Sequence, residues 1–324
     1  MSADRLNAHH QARKTVTVAV LDVLAGTPLA QAADGAGLEP ADLALAVDVF
    51  CQAGSRALEQ QTVAPGWWQI YAEFPDWTTA ETTAATHLAP LLGRAATEWW
   101  FIRKHPCWRI RLRTTGHPDG TKTTVSTALN RLAAAGHIRR WWTGSYEAES
   151  AAFGGTEGMT AAHSLFHADS QAILTQLHGR RNSLGRREIS VLLCTSLMRG
   201  AGLEWYEQGD IWHQVSTERP LPPDATLDRL RPMAADLNAL LLADLRLDGP
   251  LFGEGGPAKW AAEWAAGFRD AGRALGVAAR AGRLERGLRQ VIAYHVIFHW
   301  NRLGLPARAQ SILASAARTA VLGE

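Results

Sequence analysis

Apolar and basic positions alternate without a break along residues 108–114, WRIRLRT. A period of two is typical of a strand that is buried on one face. The other face of that strand then carries three guanidinium groups, from Arg109, Arg111 and Arg113. The pattern has two interpretations: a solvated edge strand kept soluble by arginine, or a site for an anionic or amide-rich ligand, since arginine offers a rigid fork of donors.

The patterns around this strand bear on whether it lies at an edge. Alternating or apolar runs predict four strands, and helical spacing predicts two helices between them. The strands are 67–74, 98–104, 107–115 and 137–149, and the helices are 76–95 and 123–136. The order β-α-β-β-α-β predicts an α+β fold with a ferredoxin-like antiparallel sheet and helices on one face. The arginine strand is central in that order, which weakens the edge-strand interpretation.

Helical patterns flank the sheet on both sides. Three short helices are expected between residues 14 and 60, so we predict an N-terminal helical unit over 1–62. Residues 63–324 are expected to form one α+β domain, with the sheet at 67–147 and a helical C-terminal half at 157–324. The helices of that half are predicted at 158–182, 186–205, 225–245, 257–281, 284–303 and 305–321.

Composition and charge exclude several classes of protein. The 324 residues are 47% hydrophobic with a net charge of +2, which is typical of a globular protein and too weakly basic to indicate nucleic-acid binding. The three cysteines form neither a disulfide nor a zinc pattern. The polar start lacks the apolar stretch of a signal peptide, and no apolar run is long enough to span a membrane. We therefore expect a cytoplasmic protein without nucleic-acid or membrane partners.

Two pairs of histidines are spaced four residues apart, at His163 and His167 and at His295 and His299. Such pairs can supply zinc ligands. No HExxH motif occurs and the C-terminal stretch has no acid, so we predict core or active-site histidines and no metal. The sequence also lacks a phosphate-binding glycine loop and a GxSxG elbow, and no cofactor is predicted.

A series of motifs over residues 66–320 resembles a known family. In order they read FIR, RLR, FGG, FxxDS and NRL. Together they resemble the C-terminal domain of LanB-type lantibiotic dehydratases, and most closely the stand-alone, pyridine synthase-like proteins of thiopeptide-type bacteriocin biosynthesis. The resemblance implies an enzyme that acts on a ribosomally synthesised precursor peptide with a leader, alongside other enzymes of the same pathway. A homodimer is also considered.

The resemblance implies two alternative activities. One is a formal four-plus-two aza-cycloaddition between two dehydroalanines, which forms a six-membered nitrogen ring and releases the leader. The other is elimination of glutamate from glutamylated Ser or Thr, which gives dehydroamino acids.

Departures from the eliminating relatives favour the cyclase. Those relatives have ERYGG where this chain has SAAFGG, so Ala152 replaces an arginine that helps to hold the glutamyl group. They also have HMxxNR in the late helix, where Ile297 replaces the proton-transferring histidine. Cycloaddition needs mainly positioning and a few hydrogen-bond donors.

The candidate site residues follow from these motifs and from their polar and aromatic chemistry. Proton handling is assigned to Tyr146, His167, Tyr294 and His299. Substrate binding is assigned to Trp99, Arg103, Arg111, Arg113, Phe153, Asp169, Ser170, Asn301 and Arg302. We expect the face with Arg111 and Arg113 to be the floor of a cleft, walled by the 146–155 turn and the 291–302 helix.

Three non-catalytic interpretations remain open. The chain could be a leader-binding scaffold that uses the helices at 14–60, whose acidic and apolar faces suit a peptide better than DNA. It could bind nucleic acid through interleaved Arg and Trp, although the aromatics alternate inward as core residues do. Finally, the arginines could be structural, with Glu147, Glu149 or Asp169 as partners.

Overall fold

A computed structural model describes residues 15–63, 66–113, 118–177 and 184–323. The chain divides into two compact units, residues 1–65 and 66–324. Three parts of the predicted elements lie outside the described residues: positions 1–14 of the N-terminal unit, 114–115 of the arginine strand, and 178–182 of the first C-terminal helix.

The first unit consists of three helices, α1 (15–24), α2 (Leu29–Ala36) and α3 (Pro40–Val63). Prolines precede α2 and begin α3, where their fixed φ suits the first helical turn. Among the side chains that the structure describes in this unit, Ala19, Val20, Ala32, Ala33 and Leu43 form a buried core.

The second unit begins with the sheet. Strands β1 (Trp67–Glu73), β2 (Glu98–Lys104), β3 (Cys107–Arg113) and β4 (Arg140–Gly144) are antiparallel in the order β2-β3-β1-β4. The register sets Arg111 between Trp100 of β2 and Gln69 of β1. The predicted ferredoxin-like α+β fold is confirmed, and the arginine strand is central.

One face of the sheet is covered by the helices that connect its strands. These are α4 (Ala80–Thr83), which continues through a π-helical turn (Ala84–Leu88) into α5 (Ala89–Ala95), and α6 (Pro118–Ala134). The apolar positions of β3, Trp108, Ile110 and Leu112, are at most 2% exposed in the same core as Leu92 and Leu129. The arginines of β3 therefore face the opposite side.

Helices make up the rest of the second unit. They are α7 (Gly155–Ala172, extended by a π-helical turn, Ile173–Leu177), α8 (Arg186–Gly200), α9 (Trp205–Glu218), α10 (Leu227–Leu242), α11 (Ala262–Arg280), α12 (Leu288–Leu303) and α13 (Ala307–Leu322). No helix in the described ranges is long and apolar enough to cross a membrane.

The prediction of one helix over 186–205 is wrong. The helix ends at Gly200, the turn that follows needs Gly202 at φ +82°, and the unpredicted α9 begins at Trp205. Glu204 and Glu207 form a capping box that starts α9, because each side chain satisfies a backbone N–H at the helix start.

Glycines let α8 and α11 pack with their backbones in contact. A Cβ at Gly272 would lie 2.0 Å from the carbonyl oxygen of Leu197, and one at Gly200 would lie 2.3 Å from that of Arg269. Neither oxygen can move without disturbing its helix, so this glycine seam fixes the spacing of the two helices.

Gly272→Ala should lower the free energy of unfolding by about 1–3 kcal/mol, because the methyl group would overlap main-chain atoms. Gly93→Ala is the matched control, since a Cβ there meets nothing within 4 Å. It should be neutral or stabilise by up to about 1 kcal/mol, because α5 loses a flexible residue. Urea denaturation of both variants measures the difference. Equal midpoints would show that the seam is not in backbone contact.

Candidate functional site

Arg111 occupies the middle of the sheet face opposite α4–α6 and is only 7% exposed. Its Nε donates to Gln69 Oε1 at 2.8 Å, and its Cζ lies 4.2 Å from the ring centroid of Trp100. Its Nη1 is buried and has no hydrogen-bond partner among the described residues. A buried guanidinium with an unsatisfied donor is costly, so Arg111 is suited to bind a carbonyl or anionic oxygen.

The segment after β4 turns back over this face and brings Tyr146 beside His163 of α7. Tyr146 Oη lies 2.8 Å from His163 Nε2, and the ring centroid of Tyr146 lies 5.4 Å from Arg111 Cζ. Trp67 forms the adjoining wall, with its ring centroid 4.5 Å from that of His163. Gln69 Nε2 donates to the Ser145 carbonyl at 2.9 Å and so ties the segment to β1.

Burial sets the protonation states of these groups. It raises the pKa of Tyr146 against the attraction of Arg111, and it lowers the pKa of His163 to about 4, opposed by Glu98 and reinforced by Arg113. Burial also lowers the pKa of Arg111 to about 10. Near pH 7 the site therefore holds a neutral tyrosine–histidine pair beside a charged guanidinium.

The same sheet face continues toward β4 as a ladder of rings and cations. Tyr71 and Trp142 are stacked, with centroids 5.2 Å apart and planes 3° from parallel. Arg109 Cζ lies 5.6 Å from the Tyr71 centroid, and Arg140 Cζ lies 5.1 Å from that of Trp142. Trp142 is 37% exposed. This β4 platform presents flat, cationic surface next to Arg111.

Three predicted binding residues on β2 and β3 make no described contact with Arg111. Trp99 points into the core on the α4–α6 side and is 1% exposed. Arg103 forms an ion pair with Glu81 at 2.5 Å. Arg113 shares the face of Arg111 but lies at its exposed rim, in an ion pair with Glu98 at 3.0 Å.

A separate predicted group forms a sealed network around Asp169 of α7. Its carboxylate accepts from Trp264 Nε1 at 3.0 Å and from Arg302 Nε at 2.7 Å, and it lies 2.9 Å from His299 Nδ1. Burial favours a raised pKa for Asp169, but His299 and Arg302 hold it below its usual range. Asp169, His299 and Arg302 are 0% exposed. Arg302 Nη1 and Nη2 and His299 Nε2 have no hydrogen-bond partner among the described residues, but full burial separates this network from the face that carries Arg111.

His167 and Ser170 of α7 bind the free edge of β2. The backbone N–H of Trp99 donates to His167 Nδ1 at 3.1 Å, and that of Phe101 donates to Ser170 Oγ at 3.2 Å. Both side chains therefore complete the hydrogen bonding of an edge strand.

The remaining predicted residues pack around α12. Phe153 is fully buried, while Tyr294 is half-buried with Arg286 Cζ 4.7 Å from its ring centroid. Asn301 Oδ1 accepts from Gln310 Nε2 at 3.1 Å. The two rings belong to an aromatic cluster that extends to Trp100.

Two tilted rings, Phe166 and Trp100, connect the sealed network to the face that carries Arg111. Arg302 Cζ lies 4.3 Å from the centroid of Phe166, and the Phe166 centroid lies 4.8 Å from that of Trp100, on which Arg111 stacks. None of the described contacts of Arg111 comes from residues 291–302, so the structure does not place α12 as the second wall.

The structure thus brings Arg111 and Tyr146 together and adds residues that were not assigned to the site. His163 belongs to a recognised histidine pair, yet that spacing does not reveal which member faces the arginines. The sequence of β1 does not distinguish Gln69 from its other positions. The pairing of Gln69 with Arg111 follows only from the register of β1 against β3. Trp264 gives no sequence signal of its contact with Asp169.

Chemically, the site offers a cation and a neutral donor–acceptor pair between aromatic walls. Across the described ranges no three His, Cys, Asp or Glu side chains gather as metal ligands. The arrangement can polarise a carbonyl through Arg111 and move one proton between oxygen and nitrogen through Tyr146 and His163.

Asp169→Asn should lower the free energy of unfolding by about 3–5 kcal/mol, because it leaves Arg302 buried without a counter-charge. The control is Asp224→Asn. That substitution breaks an exposed ion pair with Arg308 at 2.6 Å and should cost about 0–1 kcal/mol. Chemical denaturation at pH 7 compares the variants. Similar losses would show that Asp169 is not a buried charge.

Stability should decline as the pH falls from about 6.5 toward 4. The unfolded chain protonates its histidines near 6.5, whereas folded His163 resists protonation down to about 4, so unfolding takes up protons in that window. His163→Gln should reduce the pH slope of the unfolding free energy by up to one proton. Denaturation curves at several pH values measure that slope, and an unchanged slope would show that His163 is ordinarily solvated.

Comparison with known proteins agrees with this architecture. Residues 67–321 match the family described as lantibiotic biosynthesis dehydratase C-term. No curated protein sequence matches the chain.

Three solved structures share the fold at low identity. The tRNA-dependent lantibiotic dehydratase MibB from Microbispora sp. 107891 aligns with a TM-score of 0.62 and 20% identity over 80% of this chain, which spans only 28% of that protein. The pyridine synthase TbtD from thiomuracin biosynthesis gives 0.52 and 14%, over 80% of this chain and 98% of TbtD. TsrL gives 0.50 and 18%, over 78% and 93%. Because the family match covers nearly all of the second unit, the chain belongs to the lantibiotic biosynthesis dehydratase C-terminal family.

Proposed function

We propose that the protein catalyses a formal four-plus-two aza-cycloaddition between two dehydroalanines of a leader-bearing precursor peptide. The reaction forms the central six-membered nitrogen ring of a thiopeptide, and water and the leader are lost afterwards. The observation that carries the proposal is the neutral Tyr146–His163 pair, 2.8 Å apart, beside the unsatisfied guanidinium of Arg111.

Cycloaddition requires an amide of the peptide to become its imidic-acid tautomer. That change gives one proton to the carbonyl oxygen and takes one from the nitrogen. Tyr146 can donate the proton to the carbonyl oxygen while His163 accepts the one from the nitrogen. A proton then passes from His163 to Tyr146 across their 2.8 Å hydrogen bond, and both side chains are neutral again. The raised pKa of Tyr146 and the lowered pKa of His163 keep both groups in their neutral starting forms near pH 7.

Arg111 supports the same step by binding the carbonyl oxygen. Its Nε is fixed by Gln69, so the free Nη1 has a set direction, and the Trp100 ring holds the guanidinium plane. A preorganised cation in a partly buried site stabilises developing negative charge on oxygen. The guanidinium stays charged because its pKa of about 10 lies well above neutrality.

The β4 platform suits a substrate rich in planar groups. Stacked Tyr71 and Trp142 offer an exposed aromatic surface next to the reacting groups. Binding there would hold the two alkenes in one orientation, and positioning is the main requirement of a cycloaddition. We assign His299, Asp169 and Arg302 to supporting α7 from behind, rather than to contact with the peptide.

Elimination of glutamate is the second candidate, and one contact favours it. Arg286 Nη1 donates to the carbonyl oxygen of Ala152 at 3.4 Å, so a cation from the segment before α12 reaches the position where eliminating relatives carry their arginine. Against elimination, Ala152 and Ile297 stand where the eliminating relatives carry the arginine that helps to hold the glutamyl group and the proton-transferring histidine.

The proposed partners are the leader-bearing peptide and other enzymes of its pathway. The N-terminal unit is the proposed leader-contacting module, and a scaffold without activity would use that unit alone. A homodimer and a cytoplasmic location are also proposed.

The decisive assay offers two peptides to the purified protein. One carries a leader, azoles and two dehydroalanines, and the other is glutamylated at Ser or Thr. The proposal expects a macrocycle and a separate leader by mass spectrometry from the first peptide, and no change in the second. Loss of glutamate from the second peptide with the first unchanged would establish elimination instead.

Tyr146→Phe should lower kcat about a hundredfold with little change in KM, because it removes a proton donor and leaves the ring in place. Tyr206→Phe is the control, since Tyr206 is 72% exposed and outside the site. Leader affinity should be equal in both variants. An unchanged kcat in Tyr146→Phe would show that the Tyr146 hydroxyl takes no part in the reaction.

A further inference from the structure

Four arginines line one cavity of about 410 Å³ at the junction of α8, α11 and the segment after α10. The lining includes one carboxylate, from Asp244. The arginines are Arg199, Arg246, Arg269 and Arg273. None of them belongs to the sheet face that carries Arg111.

The two carboxylates near the cavity only partly offset these charges. Asp244 is held by Arg246, whose Nη2 lies 2.9 Å from its Oδ2. Asp270 lies 3.4 Å from Arg273 Nη1 and 3.6 Å from Arg269 Nε, so it forms only long ion pairs with both arginines. The Nε atom of Arg269 is buried and has no hydrogen-bond partner in the described part of the chain.

Arg199 contributes charge without a bonded acid. Its Nη1 and Nη2 donate to the backbone carbonyls of Ala243 and Leu241, at 2.7 and 2.5 Å. Those bonds orient the guanidinium but do not neutralise it. The pKa of Arg199 is lowered by burial and supported only through space by Asp244.

The glycine seam prevents the cluster from spreading to relieve its repulsion. Gly200 follows Arg199 directly, and a Cβ on it would lie 2.3 Å from the carbonyl oxygen of Arg269. The backbones that carry Arg199, Arg269 and Arg273 are therefore held at a fixed spacing. Like charges in a fixed frame make a preorganised anion site, because the bound anion removes the repulsion without reorganising the protein.

We propose that this cavity binds the phosphate group of a small molecule. Guanidinium forks match phosphate oxygens in shape and charge, and more than one arginine can contact the same group. The volume accommodates a diphosphate. The proposal is independent of the reaction at Arg111.

The test is titration calorimetry of the full chain with pyrophosphate and with inorganic phosphate, at constant ionic strength set with sodium chloride. We expect saturable binding that weakens as the salt concentration rises. Arg269→Gln and Arg273→Gln should each weaken pyrophosphate binding about tenfold or more, as expected for the loss of one charge-assisted contact. Arg308→Gln, which changes an exposed arginine of α13, should bind as the unmodified protein does.

Thermal unfolding without ligand shows whether the variants fold, and an unchanged Tm is expected for exposed Arg273. The absence of pyrophosphate binding, or equal affinity in Arg269→Gln, Arg273→Gln and Arg308→Gln, would overturn the proposal. Succinate that binds as tightly as pyrophosphate would overturn the assignment to phosphate. Binding of a short RNA by a protein that ignores pyrophosphate would make the cavity part of a macromolecular interface and would also overturn it.

Discussion

The second unit depends on the hydrogen bonds and ion pairs that the buried carboxylate of Asp169 forms with its neighbours. A fully buried charge must be satisfied where it lies, and this one is satisfied by Trp264 of α11 and by His299 and Arg302 of α12. One side chain of α7 thereby sets the positions of two further helices. Because α7 also carries His163 and Ser170, the helix that the Asp169 carboxylate anchors holds both the ring beside Tyr146 and the side chain that binds the edge of β2.

The strand pattern made much of the fold predictable, because each period-two run has one face that must be buried. WRIRLRT shows this most clearly, since its apolar positions are at most 2% exposed and Arg111 faces the site. Local patterns do not predict side-chain orientations and helix ends that are set by tertiary contacts. Residues 288–303 are apolar around most of the helix, so their sequence does not show that His299 turns inward while Tyr294 stays half-exposed. The break at Gly200 was missed because a capping box made of two glutamates resembles ordinary helical sequence.

The sheet face that carries Arg111 is buried at one end and exposed at the other. Around Arg111, aromatic walls and limited water make hydrogen bonds strong and keep Tyr146 and His163 neutral. Toward β4, Trp142 stacks on Tyr71 and is 37% exposed, so the aromatic surface there is open to solvent. Behind this face, Arg302 lies against Phe166 and Arg111 lies against Trp100, and the two rings are in contact.

The binding of β2 by α7 has a consequence for how the sheet meets other chains. An exposed edge strand is a template for uncontrolled pairing and aggregation. At β2 the edge N–H groups of Trp99 and Phe101 donate to His167 and Ser170. Side chains of α7 therefore accept the hydrogen bonds that a fifth strand would otherwise accept. The opposite end of the sheet order is β4, which is five residues long and carries Arg140 and Trp142. A short, charged edge resists self-association. The two ends of the sheet are therefore protected in different ways, β2 by side chains of α7 and β4 by its length and charge.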